Sequence, residues 1–286
     1  MTKQHSLSIL IALFLPLLIS AQHLEFGLMG GTSHYLGDLV PKANRFSTGK
    51  THFMGGAFLK YNINNFVAIR AGGNYGKLSA DDADSNIESR KLRNLSFESK
   101  LIEGNLIAEF NILGYQPYNL ARPFSPYIFA GVAFFNFKPQ AELNGSLVDL
   151  QPLGTEGQGL AEFPERKFYQ LTQFSIPVGA GIKYALNDQI NLGFEIGIRK
   201  TFTDYIDDVS LTYVDDVLLT ENRGPETAAL ANRTGAPIVA GAARGSAEND
   251  DWYIISGITL SYNFIDNGLV GSRKRGKRRK DGCPTF

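Results

Sequence analysis

Apolar and polar residues alternate with a period of two over several stretches of the chain. In residues 190–199, the even-numbered positions are apolar and the odd-numbered positions are small or polar. Ile190, Leu192, Phe194, Ile196 and Ile198 alternate with Asn191, Gly193, Glu195, Gly197 and Arg199. Successive side chains of a β-strand point to opposite faces, so this pattern predicts a strand with one apolar face. The alternation predicts eight strands, over 23–35, 52–62, 66–76, 102–112, 124–137, 173–184, 190–199 and 252–264.

The connections between these strands alternate between long and short. The long ones are 36–51, 77–96, 138–168 and 201–251, and the short ones are 62–65, 114–123 and 185–189. An antiparallel meander with a short turn at every second connection is typical of outer-membrane barrels, in which the short turns are periplasmic and the long loops external. With eight strands, both chain termini are then expected on the periplasmic side.

The polar faces decide between a membrane barrel and a soluble one. They are rich in glycine and carry charges of both signs, namely Arg70, Glu103, Glu109, Lys183, Glu195 and Arg199. A narrow barrel interior needs small residues and paired charges. Aromatic residues stand at strand ends, as expected for interfacial girdles: Tyr61, Tyr184, Trp252, Tyr262 and Phe264. We therefore predict an all-β, eight-stranded transmembrane barrel of the outer-membrane type, whose side-chain-filled interior disfavours a diffusion pore.

The two ends of the chain predict segments outside the barrel. Residues 1–21 read as a cleavable signal peptide, with Lys3 before a short apolar run at 7–19 and a cleavage site after Ala21. No other apolar run approaches the ~20 residues of a membrane helix. The predicted organisation is thus a signal peptide (1–21), a barrel (22–264) and a periplasmic tail (265–286).

Charge is concentrated in that tail. The whole chain has 28 Lys plus Arg and 28 Asp plus Glu, which excludes a globally basic nucleic-acid binder. Residues 273–280 nevertheless hold seven basic side chains: Arg273, Lys274, Arg275, Lys277, Arg278, Arg279 and Lys280. The interpretations are a solvated tail, or docking onto an acidic periplasmic partner or the inner-leaflet surface. The single cysteine, Cys283, is an inert thiol, a reactive one or half of an intermolecular disulfide.

Motifs for catalysis are sparse. His34 and His52 flank the first long loop near Ser33 and Asp38, so a Ser-His-Asp arrangement there depends on geometry. The chain contains no Gly-x-Ser-x-Gly, His-Glu-x-x-His or phosphate-loop motif, and we expect neither an enzyme nor a cofactor.

The long loops contain two acidic groups. One is Asp81, Asp82 and Asp84, and the other is Asp204, Asp207, Asp208, Asp215 and Asp216. Asp82-x-Asp84-x-Asn86 begins like an EF-hand loop, but Ile87 and Arg93 stand where Gly and Glu are required. We expect solvated loop charge and no metal site, with an adventitious calcium site as the alternative.

Several segments resemble one family. They are Gly-Gly-Thr-Ser-His-Tyr-Leu-Gly-Asp-Leu at 30–39, Phe-Ser-Pro-Tyr-Ile-Phe-Ala-Gly at 124–131, Leu-Gly-Thr-Glu-Gly-Gln-Gly at 153–159, and Thr-Asp-Tyr-Ile-Asp-Asp-Val-Ser at 203–210. The basic tail then ends in Cys283-Pro284-x-Phe286. Together, and in this order, they resemble the PorG-like outer-membrane barrels of the type IX secretion system of Bacteroidetes.

This resemblance implies a role that spacing alone does not give. PorG-like proteins contact a periplasmic ring, built from a lipoprotein and its partner, in a machine that exports proteins and serves gliding motility. The resemblance brings no catalytic residues. It implies that the tail from Arg273 to Phe286, with the turn at 114–123 as a further candidate, contacts the ring, and that Cys283 is the candidate for a disulfide to a ring subunit. The open alternatives are an outer-membrane enzyme and a small-solute channel.

Overall fold

The computed structural model describes residues 24–40, 50–115 and 123–264. Nine strands occupy most of these ranges: β1 (Leu24–Leu36), β2 (His52–Asn62), β3 (Val67–Asp81), β4 (Ser96–Asn111), β5 (Phe124–Leu143), β6 (Ser146–Asp149), β7 (Thr172–Ala185), β8 (Ile190–Thr201) and β9 (Trp252–Asn263). Three α-helices of the described ranges lie in the long loops: α1 (Glu88–Arg93), α2 (Asp216–Arg223) and α3 (Pro225–Ala231). In the described part of the chain, no helix has the length and apolar character needed to cross a membrane.

Eight of these strands close into one antiparallel barrel. Each pairs with its neighbour along the chain, β4 pairs with β5 and β5 with β7, and the barrel closes where β1 pairs with β9. The closing ladder runs from Glu25 opposite Asn263 to Leu36 opposite Trp252. Closure leaves no open sheet edge around the wall, which is the condition for crossing a bilayer with strands.

The eight predicted strands are confirmed, and three of them extend well beyond the residues that the alternation indicated. β3 continues to Asp81, β4 begins at Ser96 and β5 continues to Leu143. These extensions lie at the loop end of the barrel, the end that carries the long loops. The ninth strand, β6, was not predicted; it folds back on β5 through a tight turn at Asn144 and Gly145, both with positive φ.

The two faces of the wall differ as predicted. Large apolar side chains are exposed on the outside of every barrel strand, for example Leu28, Leu59, Ile102, Val178 and Ile258. The charged side chains of the alternating series are buried inside. Because an apolar exterior would be unfavourable in water, the wall is built to face lipid.

Glycine on the inner face lets the wall pack closely. A Cβ built on Gly179 of β7 would lie 2.3 Å from the carbonyl oxygen of Ile196 and 2.5 Å from the ring of Phe129. A side chain at this position would therefore collide with backbone as well as with an aromatic ring. On the outer face, Gly104 has nothing within 4 Å of such a Cβ. Close packing within the lumen thus accounts for the glycine at 179.

The long loops pack together over the loop end and form a cap, defined here as residues 82–95, 150–171 and 202–251. Its apolar residues join those at the top of the lumen in one buried cluster. From the cap, Leu95, Leu150, Tyr169, Ile206, Val209 and Leu230 pack with Leu78, Leu101, Phe135, Phe137 and Tyr253 of the barrel. Within the cap, a smaller cluster holds α2 and α3 against the 150–171 segment through Leu160, Val214, Leu219 and Ala231.

Candidate functional site

The lumen contains a network of ion pairs near the turn end, where the short turns lie. Glu109 is at its centre: its carboxylate lies 2.5 Å from the Nζ of Lys183, 3.3 Å from the Nε of Arg70 and 3.9 Å from the Nζ of Lys60. Lys60 also pairs with Glu25 at 2.7 Å. All five side chains are almost fully buried, so each charge depends on these partners.

A second part of the network lies further toward the cap. Arg70 donates two hydrogen bonds to Glu195, at 2.7 and 3.2 Å, and Tyr127 donates to the same carboxylate at 2.8 Å. Higher in the lumen, Glu103 accepts hydrogen bonds from Arg199 at 3.3 Å and from Tyr253 at 2.8 Å. Asn74 and Asn105 complete the shell around Glu103, each donating at 2.8 Å.

The charges of the lumen balance. Among the described strand residues, four acids face four bases: Glu25, Glu103, Glu109 and Glu195 with Lys60, Arg70, Lys183 and Arg199. Six of these eight were predicted as inward charges; Glu25 and Lys60 were missed, although they lie directly opposite each other on β1 and β2. Two cavities of about 10 Å³ remain between these side chains, each with room for no more than a water molecule.

A group of buried acids lies where the cap meets the barrel. The hydroxyl of Tyr35 lies 2.6 Å from Oδ2 of Asp207 and 2.5 Å from Oδ1 of Asp251. A phenol has one proton to donate, so two ionised carboxylates at this hydroxyl would repel each other without a second proton. Asp251 also accepts from the backbone N–H of Ile206 at 2.8 Å. These bonds join β1 to the 202–251 loop.

Burial and mutual repulsion raise the pKa values of these cap carboxyls. The pKa of Asp204 is raised to about 9, first by burial and then by the charges of Asp207 and Asp38. Burial raises the pKa of Asp207 to about 8, and the pKa of Asp251 is raised well above its usual range by burial and by Asp207. The cap therefore holds carboxyl groups that stay protonated near neutral pH.

Two arginines connect the loops of the cap. Arg93 donates to both oxygens of Asp82, at 2.6 and 2.8 Å, and to the backbone carbonyls of Arg244 and Asp38 at 2.6 and 3.2 Å. Arg244 donates to Glu156 at 3.0 Å, and Glu156 also accepts from the backbone N–H groups of Ser210 and Leu211. Each arginine thus bridges segments that are distant in sequence.

The candidate catalytic residues do not form a triad. The hydroxyl of Ser33 donates to the backbone carbonyl of Lys77 at 2.6 Å. Asp38 accepts from the backbone N–H of Ser246, and the Nδ1 of His34 lies 3.3 Å from the hydroxyl of Thr51. His52 contacts Ser79 at 2.6 Å, with no carboxylate on its other ring nitrogen among the described residues. Ser33 is committed to backbone, so it lacks the base that a nucleophile needs.

The acidic loop residues form ion pairs and hydrogen bonds with other groups of the protein. Asp81 and Asp84 pair with Lys50 at 3.6 and 3.5 Å, and Asp215 caps α2 by accepting from the N–H groups of Val217 and Leu218. Within the ranges 24–40, 50–115 and 123–264, no group of three or more His, Cys, Asp or Glu residues is arranged to hold a metal ion. The expectation of solvated loop charge was wrong for four of these residues, which are buried: Asp82, Asp204, Asp207 and Asp208.

The residues predicted to bind a partner lie outside the described ranges. This holds for the basic tail, for Cys283 and Phe286, and for most of the 114–123 turn. The predicted signal peptide also lies outside these ranges. The docking surface and both termini therefore stay predictions.

A closed eight-stranded antiparallel barrel with an apolar wall and a paired, charged lumen is a membrane barrel of the outer-membrane type. The chain belongs to the family described as a domain of unknown function, DUF6089, whose model matches residues 4–151. No curated protein matches the chain.

Solved outer-membrane barrels are similar to this chain at low sequence identity. The N-terminal β-barrel domain of OprF from Pseudomonas aeruginosa is 11% identical, with 84% of this chain and 97% of that chain covered and a TM-score of 0.34. Ail from Yersinia pestis is 10% identical, with 84% and 98% covered and a TM-score of 0.39. Neisserial surface protein A is 11% identical, with 84% and 96% covered and a TM-score of 0.39. Neither the family description nor these structures name a secretion machine.

Proposed function

We propose that this protein is a non-enzymatic component of an outer-membrane protein secretion machine, which anchors a periplasmic ring to the membrane. The filled lumen is the observation that carries this proposal. In the described part of the lumen, the two cavities between its eight paired charges are only about 10 Å³ each, so transport through the barrel would require breaking several buried ion pairs. A barrel closed in this way acts through the surfaces that it presents at its two ends.

The identity of the machine comes from the sequence resemblance to PorG-like proteins. We propose that both termini are periplasmic, that the machine is the type IX secretion system, and that its ring contains a lipoprotein. The seven basic side chains between Arg273 and Lys280, followed by Cys283 and Phe286, would bind an acidic surface on that ring. Cys283 would add an intermolecular disulfide in an oxidising compartment.

The two alternatives have less support. A small-solute channel would need a lumen wider than the one described. An enzyme at the loop end would need a base with an orienting acid, and the described contact between His52 and Ser79 has no such acid.

An affinity purification from native membranes in mild detergent tests the proposal. The full protein is compared with a chain truncated after Asn267 and with a full-length chain in which the basic residues of 273–280 are Gln. We expect a periplasmic lipoprotein complex to follow the full protein and to be lost from both variants. On non-reducing gels, Cys283→Ser should remove any covalent adduct and leave the charge-dependent association.

The other outcomes are informative. A complex that follows all three proteins would support docking through a surface other than the tail. A barrel that purifies alone, with step conductance in planar bilayers, would contradict docking and favour the channel.

A further inference from the structure

In the part of the wall that the structure describes, lysine and arginine side chains occur on the outer face only near the loop end. In the described strands, the outward-facing lysines are Lys77, Lys100, Lys138 and Lys200. The outward positions near the turn end are apolar or aromatic, including Phe26, Ile69, Phe110, Ile128, Tyr184 and Leu192. The two ends of the wall therefore present different chemistry to the two leaflets of a bilayer.

Three of these lysines form one row across adjacent strands. Lys77 of β3 lies directly opposite Lys100 of β4, and Lys100 lies directly opposite Lys138 of β5. Neighbouring strands are about 4.8 Å apart, so the three Cα atoms span about 10 Å. Like charges directly opposite each other on neighbouring strands destabilise a sheet. The row therefore needs negative charge from outside itself.

The protein supplies only part of that charge. Lys77 is paired with Glu98, and the Nζ of Lys138 lies 2.7 Å from Asp149. Lys100, in the centre, is exposed and makes no ion pair with any residue of the described ranges. Glu98 and Asp149 belong to the next outward row, beyond the lysines and toward the loops, because Glu98 pairs with Gln140 and Gln140 with Asp149.

The row lies at the upper border of the apolar wall. Two residues below Lys77 and Lys100 in the same strands are Tyr75 and Ile102, which are 58% and 56% exposed. Four residues below Lys138 is Phe134, which is 64% exposed. These large, exposed apolar groups belong in the hydrocarbon region, so the ammonium groups above them reach headgroup level.

Lys200 does not belong to this row. Its ammonium lies 5.5 Å and 5.6 Å from the ring centres of Phe202 and Trp252 and 3.9 Å from Asp250. These neighbours within the protein already satisfy it.

We propose that Lys77, Lys100 and Lys138 form a binding site for the phosphate group of an anionic lipid in the leaflet at the loop end. The lipid chains would lie along the exposed Tyr75, Ile102 and Phe134, and the phosphate would lie at Lys100, between its two neighbours. A lysine is a compact charge suited to a phosphate, and basic residues at a membrane surface attract anionic headgroups. The site is independent of the proposed docking through the tail.

Native mass spectrometry of the full-length protein in a non-ionic detergent tests this site. Phosphatidylglycerol is added and compared with phosphatidylcholine, which carries the same phosphate with a neutralising choline. We expect the protein to retain phosphatidylglycerol several-fold more than phosphatidylcholine. Lys77→Gln, Lys100→Gln and Lys138→Gln together should abolish this preference. Lys167→Gln, an exposed loop lysine outside the row, should leave it unchanged.

A measurement on the wild-type protein keeps the test independent of variant folding. The protein is placed in vesicles of either lipid, and amine acylation is quantified at each lysine. We expect several-fold protection of Lys100 in phosphatidylglycerol vesicles relative to phosphatidylcholine vesicles, with Lys167 reacting equally in both. Equal retention of both lipids by the wild-type protein, or retention unaffected by the triple substitution, would overturn the proposal. Protection of Lys100 by inorganic phosphate to the same degree as by the lipid would indicate a free-anion site and would also overturn it.

Discussion

At the scale of single residues, Glu109 contributes most to the lumen network, because three cations converge on one buried carboxylate. Replacing Glu109 with Gln keeps the volume and removes the charge, so four cations would face three acids. Removing one partner of a buried ion pair typically costs about 3–5 kcal/mol. We expect a loss of that size in the free energy of unfolding, measured by urea titration in detergent with the fluorescence of Trp252.

Glu162→Gln is the matched control for this substitution. Glu162 is exposed in the 150–171 loop, so the same chemical change there should alter the free energy of unfolding by less than about 0.5 kcal/mol. An equal, small effect of both substitutions would mean that water screens the charges of the lumen and that the network does not hold the barrel together.

The inward-facing charged residues also show which positions in the lumen can be predicted from the sequence. Arg70, Glu103, Glu109, Lys183, Glu195 and Arg199 were predicted to face inward because each occupies a polar position in an alternating strand. Glu25 and Lys60 lie in strands with weaker alternation, and their pairing follows from the register between β1 and β2, which a single sequence does not encode locally.

At the scale of elements, the barrel strands were predictable and the cap was not. Apolar and polar side chains alternate along a half-buried strand, so a strand can be predicted from that alternation. The cap has short helices and tight turns, held by contacts between distant segments such as Arg244 with Glu156. The apolar residues of the cap do not recur at a regular spacing along the sequence. Its aspartates were therefore predicted to be solvated loop residues.

The loops of the cap depend on Arg93, which gives a test at this scale. Arg93→Met would leave Asp82, which is fully buried, without its cation and would remove donors to two loop carbonyls. We expect faster protease cleavage within residues 202–251, while the barrel keeps its heat-modifiable migration on gels. Lys91→Met, on the same helix but exposed, should leave both properties unchanged. A cleavage rate unchanged by Arg93→Met would show that apolar packing alone holds the cap.

At the scale of the whole molecule, cap and barrel are coupled through the buried acids around Tyr35, and pH should shift this coupling. An aspartate in an unfolded loop has a pKa near 3.8, whereas burial and neighbouring acids raise the pKa of Asp207 to about 8 and of Asp204 to about 9. The folded cap thus binds protons that the opened cap releases. Its stability is greatest below about pH 4 and falls as the pH rises toward 8–9, because stability follows the difference in bound protons.

Hydrogen exchange of the 202–251 amides, corrected for the intrinsic rate at each pH, measures this coupling. We expect protection to decrease from pH 5 to pH 9, while the amides of β7 and β8 stay protected because the barrel ladders do not contain these acids. Asp204→Asn, neutral at every pH, should flatten the profile and retain more protection than the wild type at pH 9. Protection that instead rises with pH would mean that the cap carboxyls are ionised in the folded protein. The arginines Arg93 and Arg244 would then outweigh burial, and the cap would be held by charge pairing throughout.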